Sequence, residues 1–263
     1  MDVEKASAGM FPADLQAVLE RWEEFTEAAP GFSLDDATPN VPASALDAPV
    51  GRPRQIVAIG LNYSEHAAEG GFEVPTELPT VFTKFASSIT GPEGQVVLPG
   101  KAVDWEVELV VTVGRTARNV PAVDAWSHVA GLSVGQDLSE RDDQFVGNPA
   151  QFSLGKSHAG FAPIGPHLVT LDEVPDPDDL RLTCTLNGTV VQDARTREMV
   201  YDVPVLFERL SKILTLYPGD LIFTGTPAGV GLGRTPPEYL KAGDVLESWI
   251  EGVGTLRQEL VAP

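Results

Sequence analysis

Asp104-Trp105-Glu106-Val107-Glu108-Leu109-Val110-Val111 opens with two glutamates spaced two apart and ends in an apolar run of the kind a buried strand requires. Side chains two apart on a strand point to one face, so Glu106 and Glu108 stand side by side. Two carboxylates beside a run that calls for burial repel each other and are costly to desolvate. Two readings fit that conflict. Either the front of the strand is a solvated sheet edge, or the pair holds a hard cation such as Mg²⁺, which takes oxygen ligands and keeps exchangeable waters. Asp137, in Val134-Gly135-Gln136-Asp137-Leu138-Ser139, follows a second apolar run and is a third candidate ligand.

Outward from that strand, turn signals punctuate many short apolar segments. The pattern predicts strands at Ile56–Ile59, Thr80–Lys84, Gln95–Leu98, Glu106–Val113, Val129–Leu138 and Leu180–Leu186. Asn187-Gly188 predicts a hairpin returning through Val190-Val191-Gln192. Leu221–Phe223, Val245–Ile250 and Thr255–Leu260 complete the strands, with helices expected near Val123–Val129 and Val203–Leu214. Strands this numerous, without regular alternation with helices, predict a mixed α+β, β-rich roll or sandwich over residues 56–263 rather than a doubly wound sheet. Upstream, Leu15, Val18, Leu19, Trp22 and Phe25 fall at helical spacing and predict one amphipathic helix ending at Pro30-Gly31. Residues 31–55 read as a linker or covering arm, so 1–55 form an N-terminal helix and arm.

The chain has 263 residues, with 18 Lys+Arg against 38 Asp+Glu, a net charge of −20. Such a field repels nucleic acid and anionic membranes, and an anionic substrate needs a local cation in its site. The single cysteine, Cys184, reads as a buried strand residue and cannot form an internal disulfide, which with the absence of a leader-like segment predicts a cytoplasmic protein.

Several motifs carry chemistry with a plainer reading beside it. Gly131-Leu132-Ser133-Val134-Gly135 fits a nucleophile elbow, with His158 and His167 downstream, and would make Ser133 the nucleophile of a metal-independent serine hydrolase. The apolar pattern runs on through Val134 to Leu138, which argues for one continuing strand instead. In Gly60-Leu61-Asn62-Tyr63-Ser64-Glu65-His66-Ala67-Ala68-Glu69-Gly70-Gly71, a helical turn brings His66 and Glu69 into contact, either as a general-base pair or as a solvated surface pair. Gly70-Gly71 would hinge that segment as a lid. The run Thr224-Gly225-Thr226-Pro227-Ala228-Gly229-Val230-Gly231-Leu232-Gly233 is either a loop with positive-φ positions or one whose amides bind a carboxylate. Lys156, in Gly155-Lys156-Ser157-His158, is either solvated or placed to neutralise an enolate. A turn is expected across Pro163–Pro166.

Taken in order, these blocks resemble the fumarylacetoacetate hydrolase family. They run through Gly60-Leu61-Asn62-Tyr63, Phe82-Thr83-Lys84, Asp104–Leu109, Asp137–Gln144, Gly155-Lys156-Ser157, Asn187-Gly188, Pro218-Gly219-Asp220, Thr224–Gly231 and Gly243-Asp244. The resemblance implies a β-roll catalytic domain that holds Mg²⁺ or Mn²⁺ on Glu106, Glu108 and Asp137. It implies a lid dyad of His66 and Glu69, a substrate-orienting Lys156, and substrate contacts at Arg141, Gln144, Gly225 and Thr226. Leu61 stands where some decarboxylating members carry arginine. His158 stands in Lys156-Ser157-His158-Ala159 where Lys-Ser-Phe-Asp is usual, so it is expected to tune the substrate. The activity implied is metal-dependent hydrolysis of a carbon–carbon bond in a 2,4-dioxo acid such as an acylpyruvate, through an enolate. An isomerase, tautomerase or decarboxylase of a related 2-oxo acid is the alternative on the same site. A homodimer is also implied, and a non-catalytic binding protein is the reading from another class.

Overall fold

A computed structural model describes residues 3–32, 41–71, 73 and 76–263. Its larger sheet has seven strands in the order β2 (Thr80–Thr83), β1 (Ile56–Gly60), β12 (Leu221–Phe223), β6 (Val107–Val113), β7 (Val129–Gln136), β9 (Ala162–Val169) and β3 (Ile89–Thr90). The second sheet is ordered β11 (Thr189–Arg195), β10 (Arg181–Leu186), β13 (Val245–Ile250), β14 (Gly254–Val261) and β4 (Glu93–Val97). A short ladder joins β5 (Val103–Asp104) to β8 (Ser139–Glu140). This is the β-rich mixed architecture that the strand spacing predicts.

The two sheets face each other, with β10, β13 and β14 lying against β6, β7 and β9. Leu109, Val111, Leu132, Val134, Leu182 and Leu246 fill the space between them. On the outer face of the larger sheet a second core gathers Ile56, Ala58, Val110, Leu221 and Phe223 under Leu19 of the N-terminal region. Covered on both faces, β6 and β7 are buried at every residue, which explains their continuous apolar runs.

The single N-terminal helix is corrected by the structure. After α1 (Val3–Ala6), the chain forms α2 (Leu15–Leu19) and α3 (Trp22–Ala28), broken at Arg21 with φ −124 and ψ 33. The Arg21 guanidinium instead bonds the Met10 carbonyl at 2.9 Å and lies 4.6 Å from the Phe11 ring centroid. Leu19 is fully buried, and Trp22 packs against Gly114, where a Cβ would come within 2.7 Å of the indole. Within the arm, Val50 joins the outer core, and residues 33–40 lie outside the described residues.

The Asn187-Gly188 hairpin forms with φ values of 52° and 79°, the positive pair that a two-residue type I′ turn needs. The later helix is α6 (Val203–Ile213), capped by Asp202, whose carboxylate accepts from the Val205 N–H at 2.8 Å. The segment expected as a helix near 123–129 is a 3-10 turn over Ala122–His128. Pro163–Pro166 is not a turn: it lies inside β9, which pairs with β7 across a register shift at Leu132/Val134. Two short helices, α4 (Ser64–Glu69) and α5 (Arg141–Gln144), carry site residues. Among the described residues, no helix is long and apolar enough to cross a membrane.

Candidate metal and acid–base site

Antiparallel β6 and β7 place Val107 opposite Gln136, so Glu106 and Glu108 flank the pairing point while Asp137 follows it on the neighbouring strand. One oxygen from each of Glu106, Glu108 and Asp137 lies within 4.8 Å of the others, and all three residues are buried. The backbone here is held by side chains from both sheets. Gln136 Oε1 accepts the Glu106 N–H at 2.9 Å, and Gln192 Oε1 accepts the Val107 N–H at 3.0 Å. These bonds fix the two glutamates rather than leaving them at a loose sheet edge.

Cations crowd the triad. Lys156 Nζ donates to Glu106 at 2.8 Å, to Asp137 at 2.7 Å and to the Ser139 hydroxyl at 2.8 Å, which engages all three ammonium hydrogens. Lys84 Nζ meets Asp137 at 2.5 Å and also donates to the Lys156 carbonyl. Arg141 reaches Glu106 at 2.8 Å, Asp104 at 2.7 Å and Gln144 at 2.8 Å. Four buried carboxyl groups (Asp104, Glu106, Glu108, Asp137) thus face three buried bases (Lys84, Lys156, Arg141), and burial lowers Lys84 from its ordinary value. Burial opposes ionisation of Glu106, yet Lys156 and Arg141 hold its carboxyl well below the usual range. Glu108 goes the other way. Burial, with the charges of Asp137 and Glu106, pushes it well above the ordinary value, and its hydrogen-bond donor is the Gly225 N–H at 2.8 Å. An all-oxygen donor set with one poorly compensated carboxylate suits a divalent cation.

Beside the triad lies a cleft that opens to solvent, about 630 Å³ with its mouth included, reached by His66, Glu69, Glu106, Arg141, Gln144 and Lys156. Phe82, Phe152 and Leu232 give it an apolar wall. On α4 the i, i+3 spacing brings His66 Nδ1 within 3.0 Å of Glu69 Oε1. Glu69 also accepts the Gly229 N–H, at 3.0 and 3.2 Å to its two oxygens.

In the Gly-rich loop, the amides do bind carboxylates, but those of the protein. Gly225 donates to Glu108, Gly229 to Glu69, and Gly231 and Leu232 to Asp104 at 2.7 and 2.9 Å. Thr226 lines the cavity, while its hydroxyl donates to the Val107 carbonyl at 2.9 Å and accepts from Gln192. Gly225 does not line the cavity; a Cβ there would sit 2.7 Å from Asn62. His158 is likewise outside the lining, with Nε2 2.8 Å from Asp143 and its ring 5.1 Å from that of Phe161.

Ser133 is no elbow nucleophile. It sits inside β7, 1% exposed, and its hydroxyl donates to the His167 carbonyl at 2.7 Å. Ser133→Ala is therefore expected to cost about 1 kcal/mol in urea unfolding and to leave turnover in place. Cys184 is buried as expected, and burial pushes its thiol up to about 12. Spacing alone does not single out Asp104 or Lys84 as site residues. Their signal is a charged residue at the edge of an apolar strand, which by itself reads as solvated.

The fold and this buried triad define a class of protein, and the sequence comparison agrees: the profile of the family described as Fumarylacetoacetate (FAA) hydrolase C-terminal matches residues 55–261. The chain belongs to that family. Among its relatives, the human mitochondrial protein named oxaloacetate tautomerase FAHD2A is 47% identical over 216 residues, covering 81% of this chain and 68% of its own. A solved Mycobacterium smegmatis structure with a provisional HpcE name superposes with a TM-score of 0.96 at 52% identity, over 100% of this chain and 93% of that one. The maleylpyruvate hydrolase of Sphingobium sp. SYK-6, solved with manganese(II) and pyruvate, gives a TM-score of 0.74 at 30% identity, over 94% and 85% of the two chains.

Proposed function

We propose that this chain is a divalent-metal-dependent tautomerase of a small 2-oxo acid, with oxaloacetate the first substrate to test. The observation that carries the reading is the His66–Glu69 pair opening onto the same cavity as Glu106 and Lys156. The tautomerase name of the human relative supports it. Glu106, Glu108 and Asp137 would hold Mg²⁺ or Mn²⁺, which when bound supplies Lewis acidity toward the 2-oxo group. Because Nδ1 of His66 is committed to Glu69, Nε2 is the nitrogen that moves the proton at substrate C3. Lys156, with its hydrogens engaged, acts through its charge on the enolate rather than by a direct bond. Gln144 Oε1 accepts from Arg141, which leaves its amide NH₂ to bind a substrate carboxylate. The apolar wall of Phe82, Phe152 and Leu232 keeps water from the enolate.

Carbon–carbon hydrolysis of an acylpyruvate-like acid is the second reading, favoured by the pyruvate and manganese in the Sphingobium hydrolase. There His66 would take a proton from water instead. The test follows the enol absorbance of oxaloacetate with Mg²⁺ or Mn²⁺, alongside pyruvate release from a panel of 2,4-dioxo acids. Faster enol decay with little pyruvate release is the expected result. Chelated protein that tautomerises at the full rate would remove the metal, and His66→Gln is expected to lower kcat by ~10²–10⁴. The homodimer belongs to this proposal as well, and a monomeric mass in sedimentation velocity would remove it.

A further inference from the structure

Gly233 lines the cavity directly against Glu69: a Cβ built there would lie 2.7 Å from Glu69 Cδ, 2.9 Å from Cγ and 2.9 Å from Oε2. Those atoms are the nearest to it, and Gly233 is not among the positive-φ glycines, so backbone strain does not call for glycine. The nearest obstacle to a side chain there is the Glu69 carboxylate. Gly229, on the other side, donates its N–H to both Glu69 oxygens. The carbonyl of Gly229 is in turn fixed by the Trp105 indole N–H at 3.1 Å, and Arg234 lies over that indole at 5.3 Å. Trp105 is the residue between Asp104 and Glu106, so the segment that supplies the first metal ligand also anchors the peptide that seats the dyad.

We propose that Gly229 and Gly233 form a cradle for Glu69, and that Gly233 is a positioning residue that sets the His66–Glu69 contact. The loop's anion-binding amides then serve the acid–base pair of α4, with Trp105 holding the cradle in register with the metal ligands. This rests on the dyad's part in the proposed function, but its geometry can be tested without turnover.

The two glycines separate cleanly as probes. Gly229 has φ +104, and a Cβ there would meet the Val191 carbonyl at 2.1 Å, so its substitution strains the backbone. The three atoms nearest a Gly233→Ala Cβ all belong to the flexible Glu69 side chain. The primary measurement is the imidazole ¹⁵N spectrum, tractable in a chain with 4 histidines, with His66→Gln identifying the His66 signals. Gly233→Ala and Glu69→Ala should shift those signals in the same sense, and the double variant should shift them no further than Glu69→Ala alone. Mg²⁺ affinity and the unfolding midpoint should be unchanged in Gly233→Ala, and kcat should fall by ~10²-fold, as expected for a misplacement of about 1 Å. Wild-type His66 signals in Gly233→Ala would overturn the proposal. So would a further shift of those signals when Gly233→Ala is added to Glu69→Ala. Failure of the functional reading looks different: His66→Gln would keep full turnover while the spectral coupling stands.

Discussion

Glu108→Gln should abolish tight Mg²⁺ binding while making the metal-free protein more stable near neutral pH. The carboxylate is buried beside Asp137 and Glu106, and burial with those charges raises it well above the ordinary 4.5. The sign follows from linkage. A group raised in the folded state contributes stability below its unfolded value and loses it as pH rises through the folded value. Metal-free wild type should therefore lose stability from about pH 4.5 upward through the folded value of Glu108, relative to Glu108→Gln. Bound cation acts the other way, since wild type gains about 2.7 kcal/mol at a hundredfold excess over Kd and the variant gains little. Calorimetry should show a loss of affinity beyond the ~10–100-fold typical of an outer-shell partner. Equal Mg²⁺ affinity in the two proteins would exclude Glu108 as a ligand.

Asp104→Ala should be the most destabilising single change at the site. Its carboxylate accepts from Trp105, Gly231 and Leu232 N–H at 2.8, 2.7 and 2.9 Å, and from Arg141 Nε and Nη2 at 2.9 and 2.7 Å. Removing it takes a partner from a buried guanidinium and from three backbone amides, at a cost of ~3–5 kcal/mol. Arg141 would also lose the partner that aims it at Glu106 and Gln144. Urea unfolding measures the loss, and a change below ~1 kcal/mol would show that Glu106 and Gln144 alone satisfy Arg141.

Much of this site was legible in the sequence. Glu106 and Glu108 share a face because a strand alternates, and the apolar run after them forces burial. His66 and Glu69 meet because a helical turn spaces them so. Other features depend on contacts that no local pattern carries. The residues around Arg21 are good helix formers, yet the helix breaks where the Arg21 side chain bonds the Met10 carbonyl and lies over the Phe11 ring. Proline punctuation hid β9, whose ladder to β7 tolerates it through a register shift. The loop from Thr224 to Gly233 reads as an anion binder, and it is one, but which anion it holds depends on Glu69, Asp104 and Glu108 arriving from elsewhere. His158 follows Lys156 closely in sequence, yet its ring turns to Asp143 and Phe161 rather than the cavity.

The place of β12 in the larger sheet has a consequence for biosynthesis. β1 pairs with β12 in parallel, Val57 opposite Ile222, and β12 alone bridges β1 to β6. While the chain is being made, β1 therefore waits for a neighbour encoded some 165 residues later (222 minus 57). At ribosomal speeds of about 5–20 residues per second, that interval lasts on the order of 10–30 s. Throughout it, the apolar strand Ile56–Gly60 has one flank unpaired, an edge open to pairing with another chain. The candidate site is thus assembled late, because Thr224–Gly233, whose Gly229 amide bonds Glu69, leaves the ribosome directly after the strand that closes the sheet.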